Sequence, residues 1–478
     1  MPNKKNNQAA IDRIRTQAQA AGVRQIRLFF ADVLGASKCI VIPLADLDKA
    51  LNGQVTFDGG SIDGFVRDQE IDMILRPDPS TFALLPRIDG AVPEGRLICD
   101  IAMPDGEPFE GCPRTTLRRI LDDAAEILPN LRTGIEVEFY LFDALTDDIP
   151  RTDDVASYFD VSVSDRGEMA RTAIVNALED MGIAISAAHH EHAPGQHEID
   201  LSATSVLSAA DQLFTLRLVA KSVAARFGIH ATFMPKPIEN SAGSGLHFYF
   251  HWGTDRPQHA EPPSPEPTPP DFPLEPSAYA LDEQLDLDAQ ELQAFLHDRH
   301  EEPDECLYGV GGLLAHALAC TAICNPLVNS YKRLVTAWDA PVYTVWSQRS
   351  ANALVRLPNT TGSIKLEMRS PDPACNPYLA LGVLVASMVD GFRTKQLPGA
   401  ALIGNTYELT AEEKIERGIR HLPKSLRQAL DELAHDTVIR NALGDHIYHA
   451  FHDAKIREYE AYRRAVHPWE RKTYLRRY

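Results

Sequence analysis

The chain has no CxxC pair, and its seven cysteines, Cys39, Cys99, Cys112, Cys306, Cys320, Cys324 and Cys375, are scattered and odd in number. They cannot all be bridged internally, which is what a reducing compartment predicts. Cys320 and Cys324 lie one helical turn apart, like half a metal site, but buried small side chains account for them. Basic residues are also short, with 47 Lys and Arg against 67 Asp and Glu, a net charge of -20. That balance excludes a phosphate-backbone binder and leaves small molecules or proteins as partners. No apolar run approaches the roughly 20 residues that cross a bilayer, and "MPNKKNNQAAIDRI" lacks the apolar core of a signal peptide. A soluble, cytoplasmic protein with no nucleic-acid or membrane partner is expected.

The chain's 478 residues suffice for a large core and a small companion domain. After an amphipathic helix over about Ile11 to Ala20, "VRQIRLFFADVLGASKCIVIP" predicts two strands joined by a turn at Leu34-Gly35. Short strands punctuated by Pro and Gly follow, and "PRTTLRRILDDAAEILP" opens a helix at Pro113. The boundary falls near Cys112, giving a small β-rich domain over 22–112 and an α+β domain over 113–478. Residues 254–277, rich in proline and acid, predict a solvated surface excursion, a proline-motif docking site being the alternative. The basic, aromatic tail "YRRAVHPWERKTYLRRY" reads as a terminal helix docking on another subunit, more economically than as an RNA contact.

Four strand patterns carry charge on one face only. In "GIEVEFYLF", Ile135, Val137 and Phe139 alternate with Glu136 and Glu138, so two carboxylates would stand roughly 7 Å apart on one face. In "SGLHFYFHW", Leu246, Phe248 and Phe250 oppose His247, Tyr249 and His251. In "QHEIDLS", Ile199 and Leu201 oppose Glu198 and Asp200, and in "SIKLEMRS", Ile364, Leu366 and Met368 oppose Lys365, Glu367 and Arg369. For any one strand a solvated outer face looks the same. The repeated mixture of His, Glu, Lys and Arg points instead to a charged cleft, and carboxylates with one imidazole suit Mg²⁺ or Mn²⁺. A metal pair would offset the repulsion between Glu136 and Glu138. In "HHEH", strand alternation sends His190 and His192 away from Glu191, which alone is assigned to the site.

"FDGGSIDGF", "GIEVEFY", "NPLVNSYKRLV", "APVY" and "LEMRSPDPACNPYLAL" occur in that order, and together they resemble glutamine synthetase from about residue 22 to the end. The resemblance implies an N-terminal β-grasp-like domain and a catalytic domain with a curved antiparallel sheet flanked by helices. It also implies a homo-oligomer, commonly two stacked hexameric rings forming a dodecamer, with active sites between neighbouring subunits. By the same resemblance Glu136, His247 and Glu367 match the ligands of the metal on the nucleotide phosphates. Glu138, Glu191 and Glu198 match those of the metal on the glutamate side, Glu191 and His247 also bordering substrate. Two or more Mg²⁺ or Mn²⁺ per site are implied, with ATP as co-substrate. Arg333 and Arg369 match arginines holding glutamate and the transferring phosphoryl group, and Arg356 an ATP-phosphate arginine. Asp58 and Ser61 match a neighbour's contribution to the ammonium site, Asp58 taking the proton, and Tyr158 its aromatic wall.

Several positions depart from the family's pattern. Asp339 in "TAWDAP" stands where a catalytic glutamate closes the ammonium site, shorter by about 1.5 Å. The glutamate-binding loop reads Ala242-Gly243-Ser244-Gly245, Tyr249 replaces a histidine, Ala351 replaces a phosphate-site arginine, and Lys365, on the ATP side, stands where arginine is usual. Tyr407 aligns with a loop that carries a regulatory tyrosine in some bacterial members, although an ordinary loop tyrosine reads the same way. Three readings compete: an ATP-dependent γ-glutamyl-amide ligase whose amine is larger than ammonia, a true glutamine synthetase, and a non-catalytic ring-forming relative. The six retained ligands rank the last below the others.

Overall fold

The computed structural model describes residues 4–62, 64–65, 71–86, 92–143, 150–161, 166–253, 305–358 and 366–478. Lys365 and the proline-rich segment 254–277 lie outside the described residues. The first helix spans Lys4–Ala20, starting earlier than its apolar periodicity indicates.

Strands β1 (Gln25–Ala31), β2 (Ser37–Pro43), β3 (Thr56–Asp58), β4 (Asp72–Leu84) and β5 (Glu94–Ala102) form a five-stranded sheet in the order β2-β1-β5-β4-β3. The β1–β2 hairpin turns at Gly35, whose φ of 83° favours glycine. β1 and β5 run parallel inside this otherwise antiparallel sheet, the β-grasp arrangement.

The second, curled sheet contains β6 (Arg132–Asp143), β7 (Ile185–His190), β8 (Gln196–Ser205), β9 (Ile229–Thr232), β10 (Leu246–His251), β11 (Trp346–Ser347), β12 (Val355–Arg356) and β13 (Leu366–Met368). Its order is β11-β12-β13-β10-β6-β8-β7, with β9 pairing the far end of β6, and only β11 and β12 are parallel. One face is apolar: Val137, Phe139, Ile199, Leu246, Phe248 and Leu366 are buried beneath helices, among them Val206–Arg226. The other face holds the charged side chains.

Helix Cys306–Cys324 corrects one expectation. At 19 residues it is long and apolar enough to cross a membrane. Yet most of it is buried, and the helix packs against Pro377–Thr394, as a core helix does. The basic tail begins in the last turn of helix Asp445–Arg464 and forms helix Pro468–Tyr474, which has no buried residue.

His316, on helix Cys306–Cys324, is clamped with Nδ1 2.7 Å from Asp436 and Nε2 3.1 Å from Asp390. Burial alone would lower its pKa, but hydrogen bonds and charge from Asp436 and Asp390 raise it above 6.5. The charged ring's contribution is therefore fully present below pH 6.5 and is lost as pH rises through the higher folded value. In thermal melts at stepped pH, the deficit of a His316→Gln variant should shrink as the solution becomes alkaline. A constant deficit would assign the ring a packing role only.

Candidate active site

Strand register builds the site as a grid. Across β10, β6 and β8, His247 pairs with Glu136 and Glu136 with Asp200. One step along, Glu138 pairs with Glu198, and Glu198 with His189 on β7. On the other flank Arg356, Glu367 and Tyr249 form a row across β12, β13 and β10. Side chains two apart on a strand share a face, so these rows open into one cleft of about 490 Å³. Six carboxylates line it, those of Glu136, Glu138, Glu191, Glu198, Asp200 and Asp339, with Glu367 buried behind. Arg333, Arg356 and Arg369 supply the guanidiniums.

Glu136, His247 and Glu367 each offer a donor atom, and these atoms lie within 4.8 Å of one another. His247 Nδ1 is 3.0 Å from Glu136 and 3.7 Å from Glu367. Burial would raise the Glu136 pKa, but the His247 hydrogen bond and charge outweigh it and hold the carboxyl down at about 2. Arg356 and Arg369 both ion-pair with Glu367, so two cations converge on its carboxylate. Two carboxylates and an imidazole, poised and largely desolvated, fit a divalent cation.

The second expected set is placed differently. Glu138, Glu191 and Glu198 share the cleft, but the second group whose donor atoms approach within 4.8 Å is His189, Glu198 and Asp200. Glu138 accepts hydrogen bonds from Gln196 Nε2 at 2.7 Å and Gly245 N at 2.9 Å. Burial, then the neighbouring carboxylates, push Glu198 upward; burial and Glu138 do the same to Glu191, and burial and Glu136 to Asp200. Such an acidic wall requires positive charge.

His192 corrects the alternation argument. β7 ends at His190, and beyond it His192 turns back so that its Nδ1 lies 2.7 Å from Glu191 Oε2. His190 does face the interior, with Nε2 2.7 Å from Asp154 and Nδ1 2.6 Å from the Glu191 carbonyl.

Arg333 is buried, donating to the carbonyls of Ser370 at 2.8 Å and Arg369 at 3.2 Å. Only glycine fits beside it. A Cβ on Gly243 would stand 2.7 Å from the Pro235 carbonyl, and one on Gly245 2.7 Å from Glu138 Oε1. Tyr158 stacks on His192 at 4.4 Å and lines the cleft, as do Trp338 and Asp339. Trp338 and Asp339 have φ of 49° and 54°, a left-handed turn that neither residue favours. Tyr407 donates to the Ala340 carbonyl at 2.7 Å and Lys236 Nζ lies 4.0 Å from the Trp338 ring, tying down this strap. Asp58 and Ser61 lie in the first sheet's region, outside the cleft lining of their own chain, with Ser61 Oγ donating to Asp58 at 2.9 Å.

The chain matches two family descriptions, "Glutamine synthetase, beta-Grasp domain" over residues 22–104 and "Glutamine synthetase, catalytic domain" over 110–255 and 287–474. It belongs to the glutamine synthetase family. Curated glutamine synthetases include that of Thermus thermophilus, 42% identical over 463 residues, covering 95% of this chain and 96% of its relative. That of Staphylococcus aureus is 39% identical over 471 residues, covering 98% of both. Among solved structures, a GmaS/ADP complex superposes with a TM-score of 0.78 at 28% identity, covering 97% of this chain and 99% of the other. Plasmodium falciparum glutamine synthetase, at 22% identity and a TM-score of 0.78, shares the fold. As a glutamine synthetase-type protein the chain is an ATP-dependent ligase, which sets aside the non-catalytic reading. The family generally uses ATP and divalent metal ions and forms oligomers.

His189, His192, Gln196, Asp200 and Trp338 also line the cleft, beyond the residues predicted from sequence. Asp200 carried a signal, sharing its alternation with Glu198, and His189 sits two residues before Glu191.

Proposed function

We propose that the enzyme phosphorylates the γ-carboxylate of L-glutamate with ATP and joins the γ-glutamyl group to an amine larger than ammonia. A carboxylate is a poor electrophile, so the γ-phosphoryl group of ATP passes to a glutamate oxygen, giving an acyl phosphate and ADP. The amine nitrogen then attacks the acyl carbon, phosphate leaves, and a carboxylate removes the surplus proton. Arg333 and Arg369 bind glutamate and the phosphoryl group, Arg356 and Lys365 the nucleotide, and Gly243 and Ser61 border the substrates. Asp339 and a neighbour's Asp58 serve as proton acceptors. Glu136, His247 and Glu367 would hold one Mg²⁺ or Mn²⁺, and Glu138, Glu191 and Glu198 another, supplying charge neutralisation for phosphate.

The observation that carries the larger amine is the strap. Asp339, one methylene short of the family's usual glutamate, lines the cleft beside the half-exposed Trp338, and Tyr158 lines the same cleft. Aromatic walls around a carboxylate suit an alkyl- or aryl-ammonium. Retained Asp58 and Ser61 favour the second reading, ammonia itself. We further propose domains over 22–112 and 113–478, a cytoplasmic dodecamer, and active sites shared between subunits.

Phosphate release with ATP and glutamate, measured in parallel with ammonia, methylamine, ethanolamine, putrescine and aniline, tests the reading. A substituted amine should exceed ammonia at least about tenfold in kcat/KM, and Asp339→Glu should narrow that ratio. Turnover with ammonia alone would establish the second reading instead.

A further inference from the structure

We infer that Asp154 and His190 are positioning residues for the amine: between them they fix the segment that carries Tyr158 against the turn that carries Glu191. The inference rests on the ligase reading above, and names the side chains that hold one wall of its amine site.

His190 ends β7 and is tied in three directions. Its ring lies with Nδ1 2.6 Å from the Glu191 carbonyl and Nε2 2.7 Å from Asp154. Its own carbonyl accepts from Phe159 N at 3.2 Å. Tyr158 is thereby bracketed, because Asp154 lies upstream of it, Phe159 directly follows it, and both are bound to the same histidine. The His190 and Asp154 side chains are 2% and 4% exposed, whereas Tyr158 stands open to the cleft. Buried from substrate, the pair can act only through what it holds.

Asp154 is the hub of the clamp. Oδ1 accepts from Ala156 N at 2.8 Å, and Oδ2 accepts from Gly195 N as well as from His190. Burial would raise the Asp154 pKa, but hydrogen bonds from Ala156, His190 and Gly195 outweigh it and hold the carboxyl below the usual carboxylate range. An ionised carboxylate and a carbonyl can only accept, so both ring nitrogens of His190 donate. Charge-assisted bonds of this kind are strong, and losing one leaves a buried group unpaired.

The clamp also holds backbone in a conformation it would otherwise leave. Phe159 has a φ of 62°, a left-handed value that a bulky aromatic disfavours, kept by its bond to His190 and by edge-on packing on His189 at 4.6 Å. Relaxation there would carry the adjacent Tyr158 ring off its stack on His192. Glu191 depends less on the pair, since its N–H donates to the Gln196 carbonyl at 2.8 Å and its Oε2 accepts from His192 N at 2.9 Å. The loss therefore falls on the aromatic wall first.

The test is steady-state kinetics of the full chain with ATP, glutamate and, in turn, ammonia, methylamine and ethanolamine. Asp154→Asn keeps the shape but turns one accepting oxygen into an amide nitrogen, so a tie is lost. It should raise the KM for the amine about tenfold while the glutamate KM and kcat stay within about threefold. His190→Gln should do the same, and the double variant little more, because both remove one shared contact. In a Tyr158→Ala background, Asp154→Asn should shift the amine KM by less than about twofold, the wall it positions being gone. An unmoved amine KM in both single variants would overturn the inference. So would an equal penalty in the Tyr158→Ala background, which marks a structural role alone. Should Asp154→Asn lose its melting transition, His190→Gln, which leaves the Ala156 and Gly195 bonds in place, decides by the same comparison. If ammonia is the one amine used, the larger-amine reading fails and the ammonia KM decides the clamp. Wild type silent with every amine would overturn the ligase reading and this inference together.

Discussion

Replacing Glu136 by Gln is expected to reduce ATP- and glutamate-dependent phosphate release by about a thousandfold or more. Glu136 sits at the crossing of the grid, paired with His247 on one side and Asp200 on the other. Burial disfavours its anion, but His247 outweighs that with charge and a hydrogen bond to it at 3.0 Å. Gln keeps the shape and an acceptor for His247, so the fold should hold. What disappears is the charge, and with it one ligand of the buried triad. Steady-state phosphate release and a Mn²⁺ titration check both halves: activity should collapse and one ion should bind more weakly, with melting little altered. Retention of a tenth of the activity would remove this triad from the catalytic centre.

The Arg114→Ala change should act on stability instead, costing about 3–5 kcal/mol in urea-induced unfolding. Arg114, 3% exposed, donates from Nε and a terminal nitrogen to both oxygens of Asp211 at 2.9 and 2.8 Å. Its remaining bonds reach Asp100 on β5 at 2.9 Å and Asp78 on β4 at 2.8 Å, while Tyr378 donates to Asp211 at 2.7 Å. One guanidinium thus links the first sheet to two helices of the catalytic region. Truncation would take the guanidinium from three carboxylates, Asp211, the most buried, keeping only the Tyr378 hydroxyl and Asp100 keeping Arg118 at 2.9 Å. Arg114→Lys keeps the charge but loses the planar fork, and should fall between. A loss below 1 kcal/mol for Ala, as exposed pairs give, would show that water reaches the network.

Alternation made the cleft legible before any coordinates, because a two-residue period is a local property of the chain. It named Glu136, Glu138, Glu198, His247 and Glu367 on a common face, and the grid brings them to one. It failed at His192, where the strand has ended and the period no longer applies. Nor could it separate Arg114 from Arg118 and Arg119 on the same helix, since their burial depends on carboxylates from distant segments. The tight seating of Gly243 against Arg333, more than eighty residues away, is likewise a tertiary fact. Glycine and histidine interrupt the apolar run of Cys306–Cys324 and mask its length in the sequence, although its neighbours bury it all the same.

The distribution of the seven thiols has a practical side. None is joined in a disulfide, and six are enclosed by the fold, leaving Cys39 on the outer strand of the first sheet as the one that solvent meets. A maleimide dye added to the native enzyme would therefore mark a single address on each chain, and energy transfer between labelled copies would measure their spacing without any engineered handle.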